Sequence, residues 1–187
     1  MCGQKGVSFD MKFKYLLPLI LFVIMAITFW FGLYKDPHEI NSPLIDKPLP
    51  EFSAHELMNS GVVINKTNFL GKITILNVFA TWCVVCREEN LILMDISHKN
   101  EKLQILGLNY RDKRADTKLW LSRYGNPYDQ IIFDPKGAVA IELGVYGTPE
   151  TFLIDKKGII RYKHIGTLTE SAWLEFFEPL INELERE

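Results

Sequence analysis

The sequence predicts an α/β fold, a mixed central sheet flanked by helices, preceded by one N-terminal transmembrane helix. Three observations predict it. Residues 15–34 form an almost unbroken apolar run without a charged side chain. Beyond it, short runs of β-favouring residues alternate with helix-patterned stretches, the order that builds a parallel sheet. Near the C-terminus two such runs are joined by a tight turn instead of a helix, which adds an antiparallel hairpin. A chain of 187 residues, 48% of them hydrophobic, suits one domain with a substantial core plus an anchor.

The run from Tyr15 to Tyr34 is about 20 residues, or roughly 30 Å of helix, the thickness of a bilayer core. Lys5, Lys12 and Lys14 precede it, while Lys35 follows beside Asp36. Basic residues stay in the cytoplasm, so residues 1–14 are expected there and the rest of the chain outside. A cleaved signal peptide is the competing reading. The run is longer than a signal core, and Phe29 to Tyr34 offers no small-x-small cleavage site, which favours an anchor over residues 15–34. Trp30 and Tyr34 are expected at the outer interface. Pro18 falls in the first turn of the expected helix, where its missing N–H matters little. Met11 is a second candidate start beside Met1, and Cys2 reads as an incidental thiol. Residues 35–50 carry Pro37, Pro43, Pro48 and Pro50 and read as an extended linker, leaving 51–187 as the domain.

Within the domain, Ile73 to Phe79 suits a central strand covered on both faces. A helix is expected beyond Trp82, with Cys86, Leu93 and Ile96 on one face. Leu103 to Leu108 reads as a second buried strand, Ala115 to Tyr124 as a helix, Gln130 to Phe133 as a strand and Ala138 to Leu143 as a short helix. Thr151 to Ile154 and Ile159 to His164 form the hairpin, joined by Asp155-Lys156-Lys157-Gly158 with glycine where a positive φ is needed. Thr169 can cap a last helix carrying Trp173, Phe176, Phe177 and Leu180.

A net charge of -2 with scattered Lys and Arg gives no footprint for nucleic acid. Of 3 cysteines, Cys83 and Cys86 are separated by two residues and Cys2 is remote, so no disulfide framework of the small secreted type can form. Three readings compete for the pair. Zinc normally needs four ligands, and no second Cys or His pair accompanies this one; His38, His55, His98 and His164 are dispersed. A purely structural disulfide gains little from closing so short a loop. A redox pair fits the local pattern, since a strand running into Cys83 places that sulfur at a helix N-terminus, where N–H groups and the dipole favour an anion. Cys83 is then the nucleophile and Cys86, one turn further in, the resolving thiol.

Four ordered motifs surround the pair: Leu76-Asn77-Val78-Phe79-Ala80-Thr81-Trp82-Cys83; Asn109-Tyr110-Arg111-Asp112; Gly125-Asn126-Pro127-Tyr128; and the stretch Leu143-Gly144-Val145-Tyr146-Gly147-Thr148-Pro149-Glu150 running on to Asp155. With the N-terminal run they resemble the membrane-anchored thiol:disulfide interchange proteins of cytochrome c maturation, the CcmG or DsbE family. The resemblance runs from the anchor to about Leu180 and implies a thioredoxin-like fold with a redox-active Cys83–Cys86 disulfide and no other cofactor. It also implies a reductant at the bacterial inner membrane, with its domain in the periplasm, acting on the haem-attachment cysteines of apocytochrome c or on a thiol partner in that pathway. A transmembrane electron donor of the CcdA/DsbD type would keep it reduced.

The resemblance further implies that Pro149 is a cis-proline facing the disulfide, that Trp82, Tyr146 and Thr148 contact substrate, and that Glu89 and Glu150 are acidic side chains near the site. A carboxylate there can relay a proton with Cys86 and raise thiol pKa values. From the pattern alone, Glu89 reads instead as a solvated helix residue. Asn77 stands where thioredoxins in general carry a buried Asp. Two departures from the family pattern bear on the potential: Val84 and Val85 fill both positions between the cysteines, where a proline is frequent, and Thr148 replaces a common alanine. A disulfide-forming oxidase and a non-catalytic apocytochrome or haem-handling protein are the rival functions. Peroxide reduction would need a separate reactive cysteine upstream of the pair.

Overall fold

The computed structural model describes the backbone of residues 8–33, 42–100 and 102–186, with side chains from residue 16 to 32 in the first stretch. Two compact units result, Met1–Ile40 and Asn41–Glu187. In the first, helix α1 spans Ser8–Leu33. It begins well ahead of Tyr15, so Pro18 lies inside the helix and not in its first turn. Among the described residues no helix is long and apolar enough to cross a membrane. The expectations for Cys2, Lys5, Tyr34 and the first part of the linker lie outside the described residues.

The second unit starts before the expected boundary at residue 51. Residues 42–50 are part of the domain rather than an extended spacer, because their backbone pairs with the later hairpin. Asp46 N donates to Ile160 O, Ile160 N to Lys47 O and Leu49 N to Gly158 O, and Leu49 is buried. Prolines forbid a helix here, but they leave those intervening donors free to pair with a strand edge.

A small antiparallel ribbon follows, β1 (Ser53–His55) with β2 (Val63–Asn65), and leads through a 3-10 turn at Lys66–Phe69 into the main sheet. This ribbon is too short to leave a periodic signal in the sequence. The main sheet comprises β3 (Thr74–Phe79), β4 (Gln104–Tyr110), β5 (Gln130–Asp134), β6 (Glu150–Ile154) and β7 (Ile160–Ile165), in the order β5-β4-β3-β6-β7. β3, β4 and β5 run parallel, whereas β6 is antiparallel to both β3 and β7. The intervening helices are α2 (Val84–Lys99), α3 (Arg114–Tyr124) and α4 (Ala138–Glu142).

Every residue of β3 is buried, as a strand covered on both faces requires. Its alternation divides the core. Ile75 and Phe79 face α2, α3 and the C-terminal helix through Leu93, Ile96, Trp120 and Phe177. Leu76 and Val78 face the opposite layer with Phe69, Val139 and Leu143. Each fully buried Leu or Phe contributes about 2 kcal/mol relative to exposure.

The chain ends in α5 (Glu170–Ala172), a π turn at Trp173–Phe177 and α6 (Glu178–Leu184). Thr169 caps it as expected, its hydroxyl accepting from Ala172 N at 3.1 Å. The π turn was not expected; Pro179 explains it. Proline has no N–H to continue the helical ladder and its ring crowds the carbonyl four residues back, so the backbone widens, and Glu178 N bonds Trp173 O.

Candidate active site

Strand β3 delivers the chain to Ala80, and Cys83 N closes a turn on Ala80 O at 3.2 Å. Cys83 is the N-cap of α2: its backbone is extended and its sulfur accepts from Cys86 N at 3.2 Å. The two sulfurs are bonded at 2.05 Å, with the Cα atoms 5.4 Å apart. Both cysteines are largely buried, but their chain neighbours Trp82, Val84 and Val85 are exposed, as is Tyr146 in the loop ahead of Pro149. That leaves an apolar rim about a reactive sulfur at a helix N-terminus, where a thiolate is favoured by unpaired N–H groups and the dipole.

The turn before the cysteines is held by Asp112. Its carboxylate accepts from Thr81 N at 2.6 Å and Thr81 Oγ1 at 2.9 Å, and from Asn109 Nδ2 at 3.2 Å. Trp82 Nε1 donates to Arg111 O at 3.3 Å. The Asn109-to-Asp112 motif is thus a brace that fixes Trp82 and the approach to Cys83. Arg111 takes a φ of 46°, turning the backbone so that its carbonyl reaches Trp82.

The Thr148–Pro149 bond is cis. Because β6 runs antiparallel to β3 with Glu150 opposite Val78, this bond sits at the end of the sheet from which β3 leads to the cysteines. Gly166 N donates to Pro149 O at 3.0 Å, so the end of β7 closes the same corner. Thr148 Oγ1 is buried without a hydrogen-bond partner among the described residues.

The two predicted carboxylates lie on opposite faces of the sheet. Glu89 is buried in α2 one turn beyond Cys86 and on the same side of the helix. Its Oε1 accepts from Asn77 Nδ2 at 3.0 Å and from Thr151 Oγ1 at 3.2 Å. Asn77 Nδ2 also donates to Thr151 Oγ1 at 3.1 Å, and Tyr128 donates its hydroxyl to Asn77 Oδ1 at 2.8 Å. Burial pushes the Glu89 carboxyl up to about 8, against the opposing pull of Leu168 N–H, Thr151 and Asn77. Tyr128 is raised well above the usual tyrosine range, first by burial and then by the Glu89 charge.

Glu150 is buried on the other face, next to Thr151 along β6. Its Oε2 pairs with Lys163 Nζ at 2.9 Å, and its Oε1 accepts from Tyr146 N at 2.8 Å and Gly147 N at 3.2 Å. Its oxygens therefore hold the loop ahead of Pro149.

Sequence reasoning singled out Cys83, Cys86, Pro149, Glu89, Glu150, Trp82, Tyr146 and Thr148. It missed the roles of Thr151, Tyr128, Asp112 and Lys163. The reading of Glu89 as a solvated helix residue is overturned: it is 1% exposed, because it falls between Cys86 and Leu93 on the buried stripe of α2, a spacing that could have found it. Among the described residues no group of His, Cys, Asp and Glu is arranged to hold a metal ion.

The profile of the AhpC/TSA family matches residues 45–163. A thiol:disulfide interchange protein DsbE from Escherichia coli (strain K12) is 41% identical over 184 residues, covering 95% of this chain and 98% of that protein. The DsbE of Allochromatium vinosum is 39% identical over 166 residues, covering 89% and 91%. Among solved structures, a secreted thiol-disulfide isomerase from Corynebacterium glutamicum superposes with a TM-score of 0.63 at 28% identity, covering 72% of this chain and 85% of that one. A DsbF homologue from Corynebacterium diphtheriae gives 0.65 at 22% identity, covering 81% and 98%, and shares the fold. With the observed sheet order, the architecture is thioredoxin-like.

Proposed function

We propose that this thiol-disulfide oxidoreductase, which belongs to the DsbE thiol:disulfide interchange proteins within the AhpC/TSA family, works as a membrane-anchored periplasmic reductant in cytochrome c maturation. The observation that carries the reading is the Cys83–Cys86 pair set one helical turn from a buried carboxyl that burial raises to about 8.

In the reduced protein, the Cys83 thiolate attacks a sulfur of the substrate disulfide, forming a mixed disulfide and expelling one substrate thiolate. Cys86 then loses its proton to the Glu89 carboxylate and attacks Cys83 Sγ. That step releases the second substrate thiolate and leaves the Cys83–Cys86 disulfide. Two electrons pass from the enzyme dithiol to the substrate. A carboxyl near 8 is matched to a thiol of ordinary pKa about 8.5, which suits proton exchange in either direction. Once ionised, the Glu89 carboxylate also disfavours a thiolate at Cys86, and strong oxidants of this chemistry depend on a stabilised thiolate. The site therefore leans toward reduction. Trp82 and Tyr146, both exposed, and the backbone at Thr148 ahead of the cis bond supply the docking face for an incoming peptide.

Anchoring is supported by the uncharged run of residues 15–34, whose side chains from Leu16 to Phe31 are apolar and exposed almost throughout. The preceding lysines orient the domain away from the cytoplasm. Haem-attachment cysteines of apocytochrome c, or a pathway partner, are the substrate in this reading, and a CcdA/DsbD-type carrier resupplies electrons.

The test is c-type cytochrome formation in cells whose only copy carries Cys83→Ser. Haem attachment is expected to fail and to recover when a small thiol reductant is added. Normal attachment without reductant would overturn the proposal. In glutathione equilibration, the wild-type potential is expected nearer about -270 mV than about -120 mV.

A further inference from the structure

We propose that Lys163 is a positioning residue for thiol-disulfide exchange, fixing through Glu150, Gly144 and the Tyr146 ring the loop that presents Tyr146 and Thr148 to a peptide disulfide. The inference deepens the reading of the same site and rests on its exchange chemistry, not on the pathway it serves.

Lysine normally keeps its ammonium in water. Here the Lys163 and Glu150 side chains are each only 1% exposed, although both lie on strands near the edge of the sheet. Among the described residues the ammonium makes one hydrogen bond, one ion pair and two ring contacts, and the ion-paired Glu150 Oε2 has no hydrogen-bond partner. Lys163 Nζ pairs with Glu150 Oε2 at 2.9 Å, donates to Gly144 O at 2.7 Å and lies 4.3 Å from the centroid of the Tyr146 ring. The Phe152 ring, 5.2 Å away, backs it. The other Glu150 oxygen takes the N–H groups of Tyr146 and Gly147.

These contacts converge on one segment, Gly144 to Gly147. The segment also hangs from α4, with Gly144 N on Ile141 O and Val145 N on Ala140 O, but those bonds fix only its first two residues. Tyr146 and Gly147 are held by Glu150, and the Tyr146 ring rests over Lys163. One face of that ring covers the ammonium while the residue remains 63% exposed, two positions ahead of the cis Thr148–Pro149 bond.

Stability alone is a weak reason for such a pair, because well-packed apolar residues often serve a buried position as well or better. What the pair supplies is geometry: a charge-assisted clamp with directional bonds on consecutive loop residues. An apolar replacement could fill the volume but could not hold Gly144 O or orient the Tyr146 ring. A peptide that docks against Tyr146 and Thr148 needs that orientation. A small disulfide that touches only the sulfurs does not.

The experiment uses the full chain, reduced beforehand, in single-turnover reactions quenched by alkylation of the remaining enzyme thiols. Two substrates are compared, a disulfide-closed Cys-x-x-Cys peptide and hydroxyethyl disulfide. For Lys163→Met the half-saturating peptide concentration is expected to rise roughly tenfold, with the limiting rate and the hydroxyethyl disulfide rate each within about twofold of wild type. An unchanged peptide half-saturation, or equal losses with both disulfides, would overturn the proposal. Lys163→Met leaves Glu150 as a buried unpaired charge and can fail to fold. The double variant Glu150→Gln/Lys163→Met removes that charge and keeps an acceptor for Tyr146 N and Gly147 N. It must show the same rise for the peptide, and a wild-type value would contradict the inference. Failure of the cytochrome c role in cells would leave this substrate split intact, and loss of the split would leave that role standing.

Discussion

Asn77 stands where a buried carboxylate is frequent in thioredoxins, and the carboxyl arrives instead from the neighbouring helix as Glu89, bonded to Asn77 Nδ2 at 3.0 Å. A buried carboxyl one helical turn from Cys86 is thereby kept by a different route, and the proposed reading uses it as the proton acceptor. Its raised pKa has a consequence for stability. Glu89 goes from an ordinary 4.5 to about 8 on folding. Between those values the folded protein binds more protons than the unfolded chain, so this residue's contribution to stability falls as pH rises through that window and levels off above it. In urea melts of the oxidised protein in detergent, Glu89→Gln is expected to gain on wild type by on the order of 4 kcal/mol between about pH 5 and about pH 8. A difference that stays flat with pH would show that Glu89 is not held protonated by burial. At this scale the sequence was partly legible. Cys83 and Cys86 announced themselves by spacing, whereas the pattern read Glu89 as solvated although it packs on the buried stripe of α2. Lys163 and Asp112 were opaque, because their partners lie across strand registers and loops that no local period encodes.

At the scale of elements, β3, α2, β4, α3, β5, α4 and the β6–β7 hairpin are readable because each repeats a period of the helix or presents a short apolar run of β-favouring residues. The parts that escaped are those that depend on tertiary partners. Residues 42–50 look like a proline-rich spacer until the hairpin edge is present to pair with them, and the π turn depends on how Pro179 meets a helix already packed. Gly107 in β4 is a similar case. A methyl group built there would lie 2.9 Å from Phe79 Cε1 and 3.1 Å from the Tyr128 ring. Those rings stack at 4.8 Å, and Tyr128 is tied to Asn77 by its hydroxyl, so neither can retreat freely. Gly107→Ala is expected to destabilise the domain by about 1–3 kcal/mol, read as a lower urea midpoint. An unchanged midpoint would mean that the stack beneath the disulfide is looser than its geometry.

For the whole molecule, three of the four motifs read in the sequence converge on one end of the sheet. β3 carries the chain to the cysteines, Asp112 braces the turn before them and β6 begins at the cis Thr148–Pro149 bond, while the Gly125-to-Tyr128 stretch enters β5 from the other end and sends the Tyr128 hydroxyl up to Asn77 in mid-strand. The amphipathic and apolar patterns predicted which elements exist; the convergence itself came from the crossing of parallel and antiparallel strands in one sheet. The N-terminal run is a helix, as expected; among the described residues no helix is long and apolar enough to cross a membrane, so an anchoring role for it belongs to the proposal. In the proposed reading Cys83 attacks and Cys86 resolves, on a partner outside the cytoplasm. The direct measurement is to express Cys86→Ala in place of the wild-type chain, quench with acid and identify the proteins joined to Cys83. The account predicts a mixed disulfide that reducing agent cleaves, containing apocytochrome c or a thiol partner of cytochrome c maturation. Absence of any adduct, or adducts only through a residue other than Cys83, would contradict it.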